Sequence, residues 1–224
     1  MTPHELVARA ERLAAAGGRR ILGIAGPPGA GKSTLAAYLA DALGDRAVLV
    51  PMDGYHLADT ELRRLDRMGR KGAPDTFDAY GYAALLRRLR DPRAGEIVYA
   101  PAFERELEQP LAGALPVPPE VPLVITEGNY LLLDEEPWPA VRPLLDETWW
   151  VELAAEERVG RLIARHERFG KTPEHARDFV LTSDEANARR VAPGRERADL
   201  VVEFAPGTAP RPQEAETGEG RADA

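Results

Sequence analysis

An α/β fold is predicted by this sequence, a three-layer α/β/α sandwich on a mainly parallel five-stranded sheet, and three observations predict it. Short apolar runs of buried-strand type, such as Ile21-Leu22-Gly23-Ile24-Ala25, alternate with longer segments whose leucines recur at helical spacing. Between the first such strand and the first such helix, Gly26-Pro27-Pro28-Gly29-Ala30-Gly31-Lys32-Ser33 fits the phosphate-binding pattern G-x-x-x-x-G-K-[ST] at every specified position. Two further apolar runs deliver an acid, Asp53 and Glu127, to the edge where open α/β sheets hold ligands.

The elements follow in order. Thr2-Pro3-His4-Glu5 reads as a capping box with proline at the first helical position, opening a helix that Gly17-Gly18 ends. Arg20 to Ala25 is a buried strand, and Leu35, Tyr38, Leu39 and Leu43 mark the helix after the glycine-rich loop. Ala47-Val48-Leu49-Val50 is a second strand, running directly into Pro51-Met52-Asp53-Gly54-Tyr55-His56. Glu61 to Met68 is a short charged helix or excursion, and residues 69–78 form a loop rich in turn formers. Ala79 to Arg90 is a helix that Asp91-Pro92 stops. Ile97 to Pro101 reads as a short edge strand, where proline is tolerated, and Pro110 to Pro122 as a turn-filled connection. Leu123-Val124-Ile125-Thr126 is a buried strand ending in Glu127-Gly128-Asn129-Tyr130. Thr148 to Leu153 is another strand, followed by a helix from about Ala155 to Phe169 and one begun by Thr172-Pro173. Thr182-Ser183-Asp184-Glu185 is expected to cap a further helix, and Leu200 to Phe204 is the last strand. Residues 1–205 thus form one domain, while residues 206–224, nearly without bulky apolar side chains, are expected to be disordered.

The glycine-rich loop carries the chemistry. Its glycines let backbone N–H groups face phosphate oxygens without a Cβ in the way, and the following helix turns its positive end to the same place. Lys32 is expected to reach the β- and γ-phosphates of a nucleotide, and the Ser33 hydroxyl to hold Mg²⁺. Gly26, Pro27, Pro28, Gly29, Ala30, Gly31 and the adjoining Thr34 complete the expected nucleotide contacts. Asp53 and Glu127, beside this loop, suit two tasks: ligating Mg²⁺ through hard oxygens, and accepting the proton of an attacking hydroxyl. The base is assigned to Asp53 and the metal role mainly to Glu127, with Asp53 able to share it.

Composition narrows the partners. The chain has no cysteine and only four histidines, which removes disulfides and thiolate metal sites and makes a zinc site a poor expectation. A net charge of −8 argues against binding nucleic acid or a membrane surface as the main activity. No apolar run approaches a membrane span and no signal peptide opens the chain, so the expected location is cytoplasmic. The expected partner is a small-molecule hydroxyl acceptor, and a homodimer is compatible with the sequence.

Four motifs after the loop, Met52-Asp53-Gly54-Tyr55-His56, Pro74-Asp75-Thr76-Phe77-Asp78, Pro101-Ala102-Phe103-Glu104-Arg105 and Glu127-Gly128-Asn129-Tyr130, resemble in this order the uridine kinase, phosphoribulokinase and pantothenate kinase superfamily. The resemblance covers about Ile21 to Phe204. In form the motifs are similar to a bacterial branch described as nucleoside/nucleotide kinase-like or fructose transport system kinase-like. It implies a P-loop NTPase fold with a helical lid at about residues 155–190, ATP-dependent phosphoryl transfer, Asp53 as base or metal-linked carboxylate, and Glu127 as a Walker-B-like acid. It also implies that Tyr55, Phe77 and Phe103 lie near the acceptor, although both phenylalanines read equally well as core aromatics. His56 is either an acceptor ligand or a polar turn residue, and Lys71, with Arg70 beside it, is a weaker acceptor contact.

One departure from the pattern bears on the acceptor. Where uridine kinases place a base-reading histidine, this chain has Glu106, Leu107 and Glu108, whose carboxylates accept hydrogen bonds and donate none. They suit a polyhydroxylated acceptor better than uracil. Arg158, Arg161, Arg165 and Arg168 fall on one helix face, which is the lid by resemblance, with Arg161 and Arg165 best placed to act on phosphate. Read without the resemblance, Glu157 and Arg161 are an ordinary surface pair on a solvated face. The competing class for the whole chain is a regulatory or non-catalytic ATP-binding protein, since a phosphate loop alone specifies binding.

Overall fold

The computed structural model describes residues 1–204; the tail expected to be disordered lies outside them. Helix α1 (Pro3–Ala14) opens on the capping box, Thr2 and Glu5 each bonding the other's backbone N–H. Five strands form one all-parallel sheet in the order β2 (Ala47–Leu49), β5 (Leu123–Gly128), β1 (Arg20–Ala25), β6 (Glu147–Glu152), β7 (Leu200–Glu203). Strand β1 at the centre is buried along five of its six residues and β5 along all six, which is why both read as unbroken apolar runs.

Helices close both faces. One core holds α4 (Ala79–Arg90) and the segment around Trp138 against Ile21, Val124 and Trp150. The other holds α1 and α2 (Lys32–Leu43) against Leu22, Ile24, Ile125 and Trp149. The expected α/β/α sandwich is therefore formed, and among the described residues no helix is long and apolar enough to cross a membrane.

Two expectations are corrected. Ile97 to Pro101 does enter an edge strand, in a ribbon apart from the main sheet, but Pro110 to Pro122 is not merely a turn-filled connection. β3 (Val98–Glu104) and β4 (Gln109–Val117) make a separate antiparallel hairpin. Pro110 and Pro116 sit in its ladder opposite Phe103 and Tyr99, tolerated because a two-stranded ribbon has only edges. Prolines that read as turn formers along the chain hid a strand whose apolar residues pack inward only at Leu115 and Val117. The second correction concerns Thr182 to Glu185. Backbone angles at Asp184 are helical (φ −65°, ψ −39°), where a cap needs an extended residue, so a π-turn over Val180–Asp184 runs unbroken into α7 (Glu185–Val191).

Register fixes the site. Ile24 pairs with Glu127 and Ala25 with Gly128, so the loop after β1 and the acid ending β5 leave the sheet side by side. The Thr126 hydroxyl donates to the Val50 carbonyl (2.6 Å) and meets the Tyr82 hydroxyl (2.6 Å), tying the end of β2 to that of β5. Met52 crosses directly over Gly128, where an added Cβ would lie 2.6 Å from its sulfur. Gly54 likewise lets the turn Met52–Tyr55 press on the hairpin, since a Cβ there would lie 2.4 Å from the Pro101 oxygen. Asp53 is thereby set between the main sheet and the hairpin.

Candidate active site

The phosphate-loop geometry is built by backbone. Gly26, Gly29 and Gly31 have φ of 151°, 78° and 100°, and Gly31 stands at the N-cap of α2 with no side chain bonded to the first amides. Gly29 is also packed against the next layer, because a Cβ would lie 2.7 Å from Leu162. Lys32 is 7% exposed; its Nζ donates to the Pro27 carbonyl (3.0 Å) and to Asn129 Oδ1 (2.7 Å). Burial brings its amine down to about 8, against the pull of the Glu127 and Asp53 carboxylates. The Ser33 hydroxyl donates to Glu127 Oε1 at 2.9 Å. Glu127, 6% exposed, is held above the usual carboxylate range by burial and then by the Asp53 charge, with Lys32 and Ser33 opposing.

A cavity of about 1070 Å³ opens over these groups. Pro28, Gly29, Gly31, Lys32, Ser33 and Thr34 line its floor, and Asp53, Glu127 and Asn129 the sheet edge. Gly26, Pro27 and Ala30 shape the loop from behind it: Pro27 through its carbonyl on Lys32, Ala30 from the core. Its far end is lined by His56, Lys71, Phe77, Phe103 and Glu108, five of the six expected acceptor residues. Tyr55 is the exception. Its ring packs instead on Tyr82 (centroids 5.4 Å apart), and burial pushes its hydroxyl up to about 12.

The other members have mixed roles. Phe77 is both core and cavity wall: it is 8% exposed, stands edge-on to Tyr130 and Trp138, and lines the cavity. Lys71 donates to Asp59 Oδ1 (2.8 Å) and to the Glu108 carbonyl, so it latches the hairpin turn to α3 (Asp59–Arg64). Arg70 pairs with Asp75 away from the cavity. Glu108 lines the cavity and Glu106 does not.

The arginine face of α5 (Ala155–Arg168) is divided. Arg158, 4% exposed, donates to the Pro28 carbonyl (3.2 Å) and pairs with Glu185, so it staples the phosphate loop to the helices beyond rather than meeting a ligand. Arg161 makes the expected pair with Glu157, yet lines the cavity with Arg165 and Arg168. Sequence reading assigned no role to Asn129, to Arg105 on the hairpin turn, or to the pair His166 Nε2 and Asp184 Oδ2 (2.9 Å) at the lid end. Asn129 had a signal, its place two residues after Glu127. In a chain of net charge −8, cations gathered in one cleft focus the field for an anionic ligand.

This sheet, loop and sheet-edge acid define a P-loop kinase fold. The chain belongs to the phosphoribulokinase/uridine kinase family, whose model matches residues 21–209. It is 35% identical over 191 residues to the uncharacterised protein YggC of Escherichia coli K12, covering 83% of this chain and 78% of that protein. It is 33% identical over 210 residues, 89% of each chain, to a Schizosaccharomyces pombe protein provisionally named uridine kinase C227.14. A crystal structure from Silicibacter sp. TM1040, provisionally named a fructose transport system kinase, superposes with a TM-score of 0.82 at 37% identity, covering 90% of this chain and 99% of that one. Family and fold make the protein a phosphotransferase of the P-loop kinase class that uses ATP.

Proposed function

We propose that the protein transfers the γ-phosphoryl group of ATP to a hydroxyl of a small metabolite, with Asp53 as general base. The observation that carries this reading is that Asp53 opens on the same cavity as Lys32 and holds, through its carbonyl, His56, whose ring meets Phe77 and Phe103 at the far end of that cavity. The Asp53 carboxylate takes the acceptor's proton as its oxygen bonds to the γ-phosphorus. The bond from that phosphorus to the β–γ bridging oxygen breaks, and ADP leaves with its electron pair. Lys32, Arg161 and Arg165 supply positive charge around the phosphoryl group in flight. Arg158 holds the loop that carries it.

The residues present fit a magnesium ion carried by the nucleotide. Among the described residues no group of three or more His, Cys, Asp or Glu could hold a metal. That suits an ion taking most of its shell from phosphate and water. Ser33 and Glu127, with Asp53 near, are the oxygens that would hold it; burial first and then the Asp53 charge disfavour the ionised Glu127, and the second of these is a repulsion that a divalent cation would relieve. When bound, Mg²⁺ neutralises charge on the phosphates. Glu127→Gln is expected to raise the Mg²⁺ concentration for half-maximal ADP release by about tenfold or more. An unchanged Mg²⁺ titration would count against this role.

A metabolite panel read by coupled ADP release tests the proposal. Acceptor-dependent turnover with a phosphorylated product supports it; slow hydrolysis indifferent to every compound would favour a regulatory ATPase. Because Glu108 lines the acceptor end, a sugar, sugar acid or similar polyol is expected to exceed uridine and cytidine by at least about tenfold in kcat/KM, equivalent to about 1.4 kcal/mol. Uridine as the best compound would overturn that preference.

A further inference from the structure

His56 is held more tightly than a polar turn residue needs. Its ring lies between two aromatic rings, 4.0 Å from Phe77 and 4.7 Å from Phe103 between centroids. Its backbone bridges to Phe77 in antiparallel fashion, and its backbone N–H donates to the Asp53 carbonyl at 3.1 Å. The side chain reaches the same carbonyl: Nδ1 lies 2.8 Å from it. A carbonyl oxygen only accepts, so Nδ1 carries the hydrogen. In the neutral ring that leaves Nε2 with a lone pair and no hydrogen.

Nε2 has no hydrogen-bond partner among the described residues. The only buried side-chain nitrogen or oxygen left unpartnered there is Arg20 Nε, so His56 Nε2 is not sealed in protein and opens on the cavity its ring lines. Around it stand two more groups that accept, the carboxylates of Asp53 and Glu108. Lys71, a nearby donor, has two of its three N–H groups on Asp59 and the Glu108 carbonyl.

The geometry points to His56 as a specificity-determining residue: its bare Nε2 accepts a hydrogen bond from a second hydroxyl of the phosphoryl acceptor, so the substrate class is a compound with at least two hydroxyls, one facing Asp53 and another facing His56. This rests on the kinase reading above. It goes beyond it by giving a named atom the task of telling a polyol from a simple alcohol. A rigid acceptor atom discriminates well, because an analogue lacking the hydroxyl leaves that atom without its partner in the complex.

The test uses the full chain in two measurements. Nitrogen NMR of the imidazoles in the wild-type protein, with His56→Asn to assign the signal, is expected to show Nδ1 protonated and Nε2 bare. A protonated Nε2 would overturn the inference. Kinetics then compare wild type with His56→Asn, whose amide N–H can still serve the Asp53 carbonyl but which has nothing at the Nε2 position. For the best polyol of the panel, kcat/KM is expected to fall about 10- to 100-fold in the variant. For that polyol's singly deoxygenated analogues, one is expected to be equally poor with both proteins, while KM for ATP stays unchanged. An equal loss on every analogue would assign His56 to positioning Asp53, and no loss would assign it no role; both overturn the inference while the kinase reading survives. A wild-type protein that turns over no compound would defeat the kinase reading and this inference with it.

Discussion

Lys32→Ala is expected to abolish phosphoryl transfer, with a loss of at least about 10²–10³-fold in kcat/KM, because it removes a buried cation aimed across the phosphate loop. Its side chain already spans the site, bonded to the Pro27 carbonyl on one side and Asn129 on the other, so little reorganisation is needed to meet a phosphate. The same burial gives a pH signature. With its amine brought down to about 8, Lys32 is charged below that pH and loses its proton as pH rises through it. Nucleotide binds the charged form, so ATP affinity is expected to weaken above about pH 8, by up to about tenfold per pH unit. Stability moves the other way. The folded value lies below the unfolded value of 10.5, so between about 8 and 10.5 the unfolded chain binds more protons and this group's contribution to stability rises with pH. Calorimetric titration of ATP and thermal melts from pH 7 to 10.5, each taken as wild type minus Lys32→Met, check both signs. A flat difference in affinity would show that the amine is not what the phosphates meet.

Asp53→Asn is the second large effect: kcat is expected to drop about 10²–10⁴-fold while ATP affinity is kept. The amide is nearly isosteric, so the turn Met52–Tyr55, anchored through the Asp53 carbonyl on His56 and through Gly54 on Pro101, should stay in place. What is lost is the acceptor for the substrate proton. Single-turnover rates with the best acceptor, alongside ATP binding, separate the two quantities. Near-normal transfer in this variant would remove Asp53 from the role of base and leave it at most a neighbour of the metal.

Much of this site was legible in the chain because its logic is local. A phosphate loop is a run of consecutive residues whose own backbone makes the site, and the strand before it and helix after it are patterned by their own periodicity. Asp53 and Glu127 were legible for a related reason, since an acid at or just past the carboxyl end of a parallel strand has one sheet edge to occupy. The hairpin was not legible. Its prolines argue for turns when read singly, and only the pairing of Val98–Glu104 with Gln109–Val117 gives them an edge where the missing N–H costs nothing.

The sequence by itself determined the layered α/β architecture, the phosphate-loop end of the cleft and the two acids beside it. Tertiary structure alone decided which polar groups have been spent. Lys32 meets Asn129 across 97 residues, Arg158 meets the phosphate loop across 130, and Lys71 meets the hairpin turn across 37. Three arginines at helical spacing look equivalent to a fourth until packing buries one and leaves the others at the cavity. The physical reason is that periodicity encodes which face of an element is apolar, whereas the partner of a buried charge depends on which faces meet after the sheet is assembled.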